Sequence, residues 1–144
     1  MNRTAGRLGL TETYFLNPTG LDLDPETSGA YGSALDVAVL AADFLKNHPE
    51  FFEASSKKNT ALFAGTRVFQ ATSTAAPLLG IPGFIGAKTG YTDLAGGNLA
   101  LVFDAGIQHP IAIVVLGSSP KARFTDGATL VAATLAHFAG VASL

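Results

Sequence analysis

The sequence predicts an α+β fold in which helices flank an antiparallel sheet. Three observations carry this prediction. Three apolar extended runs, residues 84–89, 98–103 and 111–116, follow one another with short connections, and short connections favour antiparallel neighbours. Apolar residues recur at helical spacing in two other stretches, one opening at Ser33 and one near Ser119. At 144 residues the chain is long enough to bury one core of ordinary size.

Taken in order, Met1, Ala5 and Leu8 share one helical face, and Gly9 suits the position just past a helix end. Residues 1–8 therefore read as the last turns of a helix that lacks a proper start. Residues 13–16 read as extended. Asn17-Pro18-Thr19-Gly20 is a turn, since Pro fixes one φ and Gly permits a positive one, and a polar loop runs on to Gly32. Ser33 is placed to cap a helix. Leu35, Val39, Ala42 and Leu45 form its expected stripe, widened by Val37, Leu40, Ala41 and Phe44. That helix should end near Lys46, ahead of Asn47-His48-Pro49. Residues 60–63 and 66–69 flank Ala64-Gly65, a two-residue hairpin signal. After the three strands, a last helix is expected near Ser119-Pro120, burying Phe124, Ala128, Val131, Leu135 and Phe138.

Composition excludes several function classes. A net charge of −2 gives no argument for a nucleic-acid partner or an anionic membrane. The absence of cysteine removes disulfides, thiolate metal sites and a cysteine nucleophile. His48, His109 and His137 are scattered without metal spacing. Asp22, Asp24 and Glu26 read as a solvated turn, because the glycine and closing glutamate of a calcium loop are missing. The longest aliphatic run, residues 111–116, is far too short to span a membrane, and no signal peptide is visible at Met1. Only 14% of residues are charged, against about 25% in an average soluble domain. Part of the surface is therefore expected to be covered by further chain.

The informative segment is Gly83-Phe84-Ile85-Gly86-Ala87-Lys88-Thr89-Gly90-Tyr91-Thr92-Asp93-Leu94-Ala95-Gly96-Gly97-Asn98-Leu99. A bare K-T-G is common by chance. Here it closes an apolar strand, and a Gly-rich turn leads into a second strand. That is the context of the third element in the S-x-x-K, S-x-N, K-T-G set of serine β-lactamases and penicillin-binding proteins. The chemistry suits each position. A lysine ammonium favours negative charge nearby, and a threonine hydroxyl can donate to a carboxylate. Glycine leaves room for a peptide on the strand edge, and the Tyr91 N–H can serve as an oxyanion donor.

More of the chain resembles one branch of that group, the serine D-alanyl-D-alanine carboxypeptidases of the S11 peptidase type. The similarity runs through Leu8-Gly9-Leu10, Thr13-Tyr14-Phe15, Asn17-Pro18-Thr19-Gly20-Leu21-Asp22 and Tyr31-Gly32-Ser33-Ala34-Leu35-Asp36. Arg123, before the last helix, matches a family arginine that helps hold the substrate's terminal carboxylate. The resemblance implies Lys88, Thr89 and Gly90 as the active-site strand, with the Tyr91 N–H and Arg123 binding substrate. It implies the peptidoglycan stem peptide as substrate, β-lactams as mimics, an extracytoplasmic location and no cofactor. It also implies that residues 1–144 are one partial domain, with the nucleophile serine and the S-x-N motif upstream. The chain alone is then expected to be inactive, with one sheet face and the edge beside Lys88 uncovered. Ser55-Ser56-Lys57-Lys58 spells S-x-x-K, but it sits in the wrong place and reads as a polar connection; Ser28-Gly29-Ala30 imitates S-x-N without the amide. The alternative is a non-catalytic binding module that keeps the K-T-G strand. A phosphate loop at Gly86-Ala87-Lys88-Thr89 fails because Ala87 separates glycine from lysine.

Overall fold

The computed structural model describes residues 1–106 and 108–140. The chain opens with α1 (Asn2–Arg7). Gly9 follows at φ +74°. The Leu10 N–H reaches Ala5 O at 3.0 Å and the Gly9 N–H reaches Gly6 O at 3.2 Å, the paired bonds of a Schellman stop. β1 (Tyr14–Phe15) pairs antiparallel with β2 (Ala30–Tyr31), so the expected polar loop carries a short strand at its far end. Between them Asn17 Oδ1 accepts from the Thr19 N–H at 3.0 Å and the Gly20 N–H at 2.9 Å, which closes the predicted turn.

α2 (Ala34–Asn47) is capped as expected, with Ser33 Oγ accepting from the Asp36 N–H at 3.2 Å. Its packing face differs from the expected stripe. Leu35 and Val39 are 71% and 39% exposed, while Asp36 and Ala41 are buried. The face is turned because Asp36 is itself an anchor. Its Oδ2 accepts from the Glu12 N–H at 2.9 Å and the Thr13 hydroxyl at 2.8 Å, tying the opening segment to α2. Residues 50–55, where no element was expected, form α3 (Glu50–Ser55) with Phe52 buried, so the polar connection read at Ser55–Lys58 begins inside a helix.

β3 (Asn59–Ala64) and β4 (Arg67–Thr72) form the expected hairpin. Ala64 pairs with Arg67, so the turn residues are Gly65 and Thr66, one position later than the composition suggests. Gly65 at φ +61° sets the position, since it alone of these residues adopts that φ without strain. A short 3₁₀ turn, Ala76–Leu78, leads to the main sheet.

That sheet is an antiparallel meander, β5 (Phe84–Thr92), β6 (Gly96–Asp104) and β7 (Pro110–Ser118), in spatial order β5-β6-β7. α4 (Ala122–Phe138) follows. Because successive side chains alternate across a strand, the central strand β6 buries Leu99, Leu101 and Phe103 on one face and Val102 on the other. Leu99, Leu101 and Phe103 pack with Ala87, Ile113, Leu78 and Val131 of α4. Val102 packs on the other face with Ala41 of α2 and Phe52 of α3. Over Val102 the face expected to be bare is covered by α2 and α3, while Asn98 and Ala100 on the same face are half-buried and Lys88 beside them is exposed. On α4, Val131 is buried and Phe124 and Leu135 are partly so, but Phe138 is 58% exposed. Gly127, absent from the predicted stripe, lies against the Leu99 and Leu101 side chains. Among the described residues no helix is long and apolar enough to cross a membrane.

Candidate active-site strand

β5 is an edge strand, hydrogen-bonded on one side only, to β6. Its register sets Ala87 against Leu101, Lys88 against Ala100, Thr89 against Leu99 and Gly90 against Asn98. Two consequences follow from a period of two. Ala87 and Thr89 share the face of Leu99 and Leu101, towards α4. Lys88 and Gly90 share the opposite face, towards α2 and α3. The structure thus places the exposed Lys88 side chain and the bare face of Gly90 together.

The free edge is not open along its whole length. The Ala87 N–H points away from β6 and is donated to Ser55 Oγ at 2.9 Å. Ser55 Oγ in turn donates to the Phe52 carbonyl at 2.9 Å. Gly86 makes this seating possible, because a Cβ there would lie 2.7 Å from Phe52 O and 2.8 Å from Ser55 Oγ. Ser55, the residue that imitates a nucleophile in sequence, spends its proton and a lone pair on holding α3 against β5.

The same bond fixes the direction of the groups beyond it. The register shift in β5 lies between Phe84 and Gly86, before Ala87. Alternation then turns the N–H and C=O groups of Thr89 and Tyr91 towards the open edge. Lys88 Nζ donates to the Thr89 carbonyl, in keeping with that direction. The open stretch therefore offers the Tyr91 N–H as a donor, with a lysine ammonium beside it.

Arg123 is the second residue of α4, not a residue ahead of that helix. Its Nη1 donates to the Gly90 carbonyl, its guanidinium lies 4.9 Å from the Phe124 ring centre, and its Nε is buried without a partner. Thr89 is buried, and its hydroxyl lies 2.7 Å from the hydroxyl of Thr74. Thr74 could not be found from sequence, since it stands fifteen positions from Thr89 in a segment with no motif.

The β5–β6 turn is fixed from two sides. The Ala95 N–H bonds to Thr92 Oγ1 at 3.0 Å, and the Leu94 N–H bonds to Asp22 Oδ2 at 3.2 Å. The Tyr91 hydroxyl donates to Asp93 at 3.2 Å. That bond and the Asp93 charge hold the Tyr91 phenol above its ordinary pKa. A cleft of about 930 Å³ lies elsewhere, between the Leu10–Leu40 region and the turn residues Leu94, Ala95 and Asn98. None of Lys88, Thr89, Gly90, Tyr91 or Arg123 lines it. Among the described residues no group of three or more His, Asp or Glu side chains could hold a metal ion.

A sequence profile of the peptidase S11 family, described as D-alanyl-D-alanine carboxypeptidase, matches residues 1–120. The chain is similar to the D-alanyl-D-alanine carboxypeptidase DacF of Bacillus subtilis, 35% identical over 133 residues, covering 85% of this chain and 31% of that protein. It is similar to DacD of Escherichia coli, 32% identical over 123 residues, covering 85% of this chain and 30% of the relative. Among solved structures it resembles a penicillin-binding protein of Listeria monocytogenes in its ampicillin-bound form. That match has a TM-score of 0.73 and 29% identity, covering 90% of this chain and 53% of the other. A peptidoglycan synthesis regulatory factor of Streptococcus pneumoniae matches with a TM-score of 0.75 and 30% identity, over 92% of this chain and 42% of the other. The chain spans less than a third of the length of these curated relatives.

Proposed function

We propose the function from one premise, that this chain belongs to the D-alanyl-D-alanine carboxypeptidase family of serine peptidases. It supplies the substrate-holding side of such an enzyme, acting on the D-Ala-D-Ala end of a peptidoglycan stem peptide and open to β-lactams. The observation that carries this is the open stretch of β5, where Lys88, the Thr89 hydroxyl, the bare Gly90 and the Tyr91 N–H lie in sequence beyond the Ser55 seal.

Each group has a role in that reading. A stem peptide lies along the open edge, where Gly90 carries no side chain to block it. Lys88 and Arg123 favour its terminal carboxylate, and the Thr89 hydroxyl donates to it. A serine hydroxyl on a separate segment attacks the carbonyl of the penultimate D-alanine. The serine proton passes to a base and then to the leaving amine, and an acyl-enzyme remains. Water attacks that ester, giving the shortened peptide and restoring the serine. The Tyr91 N–H stabilises the oxyanion in both steps, a contribution typically of about 10²–10³ in rate per donor. S-x-N is absent from residues 1–144, and the two S-x-x-K spellings, Ser55–Lys58 and Ser118–Lys121, carry serines engaged elsewhere: Ser55 Oγ bonds the Ala87 N–H and the Phe52 carbonyl, and Ser118 Oγ donates to Asp126 at 2.6 Å. We assign the nucleophile to a segment outside residues 1–144, in keeping with the small share of the relatives that this chain spans.

Labelling with a fluorescent penicillin tests the reading. The chain alone is expected to form no covalent adduct. The same chain produced with a family segment bearing S-x-x-K and S-x-N is expected to be labelled, with the label on that segment. A penicilloyl group found by mass spectrometry on Ser55 or any other residue of this chain would overturn the assignment.

A further inference from the structure

The Thr89 hydroxyl has a partner that the proposed mechanism does not use. Thr74 Oγ1 stands 2.7 Å from Thr89 Oγ1, close to the ordinary length of a hydroxyl–hydroxyl bond. The segment bearing Thr74 is anchored on both sides. Ser73 Oγ accepts from the Ala75 N–H at 3.1 Å and donates to the Ser55 carbonyl at 3.3 Å, and Ala75 is buried. Thr74 is exposed, and its hydroxyl makes no other side-chain bond among the described residues.

Two hydroxyls share one bond, and only one of them can donate into it. If Thr89 donates to Thr74, it turns lone pairs towards any arriving ligand, and a carboxylate is repelled. If Thr74 donates to Thr89, the Thr89 proton is free for a carboxylate, and the chain of donors is polarised in one direction. Exposure lets Thr74 take that second role, because water can donate to its oxygen while its proton points inward.

We propose that Thr74 is a positioning residue, which donates to Thr89 and so orients the Thr89 proton towards the terminal carboxylate of the substrate. The inference rests on the reading of β5 as the substrate strand. It makes Thr74 a determinant of preference for a free C-terminus over a blocked one.

The test uses the chain as it is, titrated with N-acetyl-D-Ala-D-Ala and with its C-terminal amide, and followed by amide NMR shifts at Lys88, Thr89 and Tyr91. Thr74→Val removes the hydroxyl while keeping the shape, at an exposed position where folding is not at risk. Thr74→Ser puts the hydroxyl back. The expected result is a loss of about 3- to 10-fold in affinity for the acid in Thr74→Val, the scale of one hydrogen bond. Affinity for the amide should change by less than about twofold, because a charged acceptor makes the stronger bond. Thr74→Ser should bind the acid as the unmodified chain does. Equal acid binding by Thr74→Val and the unmodified chain overturns the inference and leaves the substrate strand standing. Failure of Thr74→Ser to restore binding also overturns it. Absence of any shift in the unmodified chain removes the reading of β5, and the inference with it.

Discussion

Gly90→Ala separates what the fold requires from what the proposed substrate requires. Gly90 lies within β5 with no positive φ. A Cβ built there would meet nothing nearer than the Asn98 Cβ at 3.8 Å, an ordinary contact. The fold therefore gives no reason for a glycine at this position. Relative to alanine, a glycine inside a strand costs about 0.5–1 kcal/mol, so the substitution should stabilise the chain by that amount. For a domain of this size that corresponds to a rise of roughly 1–4 °C in Tm. If a peptide must lie against the bare face of Gly90, the same methyl should weaken binding of N-acetyl-D-Ala-D-Ala by about tenfold or more, since a clash in a packed contact commonly costs 1–3 kcal/mol. Gly86→Ala, four residues earlier on the same face, is the control. Its Cβ would lie 2.7 Å from Phe52 O and 2.8 Å from both Phe52 Cβ and Ser55 Oγ. It should lower stability by about 1–3 kcal/mol by pushing α3 off the edge. Thermal melts and NMR titrations of both variants read the two effects. A Gly90→Ala protein that melts several degrees lower, or that binds the dipeptide unchanged, would refute the separation.

Four further outcomes follow from the packing and the hydrogen bonds. Ser55→Ala should cost about 1–3 kcal/mol by orphaning the Ala87 N–H, and should leave penicillin labelling of the completed enzyme unchanged; a melt and a gel read both. Phe103→Ala, at a side chain with 0% exposure, should cost about 3–5 kcal/mol in denaturant unfolding. Arg123→Lys should lose the fork that reaches Gly90 O while keeping the charge, and weaken dipeptide binding by about tenfold, which calorimetry or NMR can measure. The Asp104 carboxyl is held below its ordinary pKa, chiefly by the Gly106 N–H and with help from the His109 N–H. A depressed acid contributes stability above its unfolded pKa, near 4, and loses it as pH falls through the folded value. Asp104→Asn should therefore melt lower than the unmodified chain at neutral pH, and the gap should close on acidification.

The elements that announce themselves locally were legible in the sequence. The meander, the Ser33 cap and the Gly9 stop each depend on residues adjacent in the chain. So does the K-T-G strand, whose apolar approach and Gly-rich turn mark it as an edge leading into a hairpin. What stayed hidden depends on partners far away in sequence. Asp36 looks like an ordinary first-turn acid until Glu12 and Thr13 come to it. That contact turns the helix, which is why Leu35 and Val39 face outward against their period. α3 was missed because Phe51-Phe52 beside a polar run has too few turns to show a period. The sequence carries no signal of the roles of Ser55 and Thr74, and at Ser55 it offers a misleading one, because those roles exist only once residues 52–55, 73–75 and 86–89 are folded together.

The charges around the open edge give the last step of the argument. The His48 ring lies 3.3 Å from the Glu50 carboxylate on the surface, distant in sequence from the strand. Lys88 and Arg123 each point instead at a backbone carbonyl of consecutive residues, Thr89 and Gly90. Carbonyl oxygens are weaker partners for a cation than carboxylates. Leaving Arg123 Nε buried without an acceptor carries a further cost. A fold under selection for stability alone would place an acid near such groups. Two cations on β5 and α4 with no acid of the described residues in ion-pair contact fit the proposed reading of a site whose anion arrives with the ligand. On the proposed function, a peptide ending in a carboxylate would bring that anion to the stretch of β5 that Ser55 leaves open.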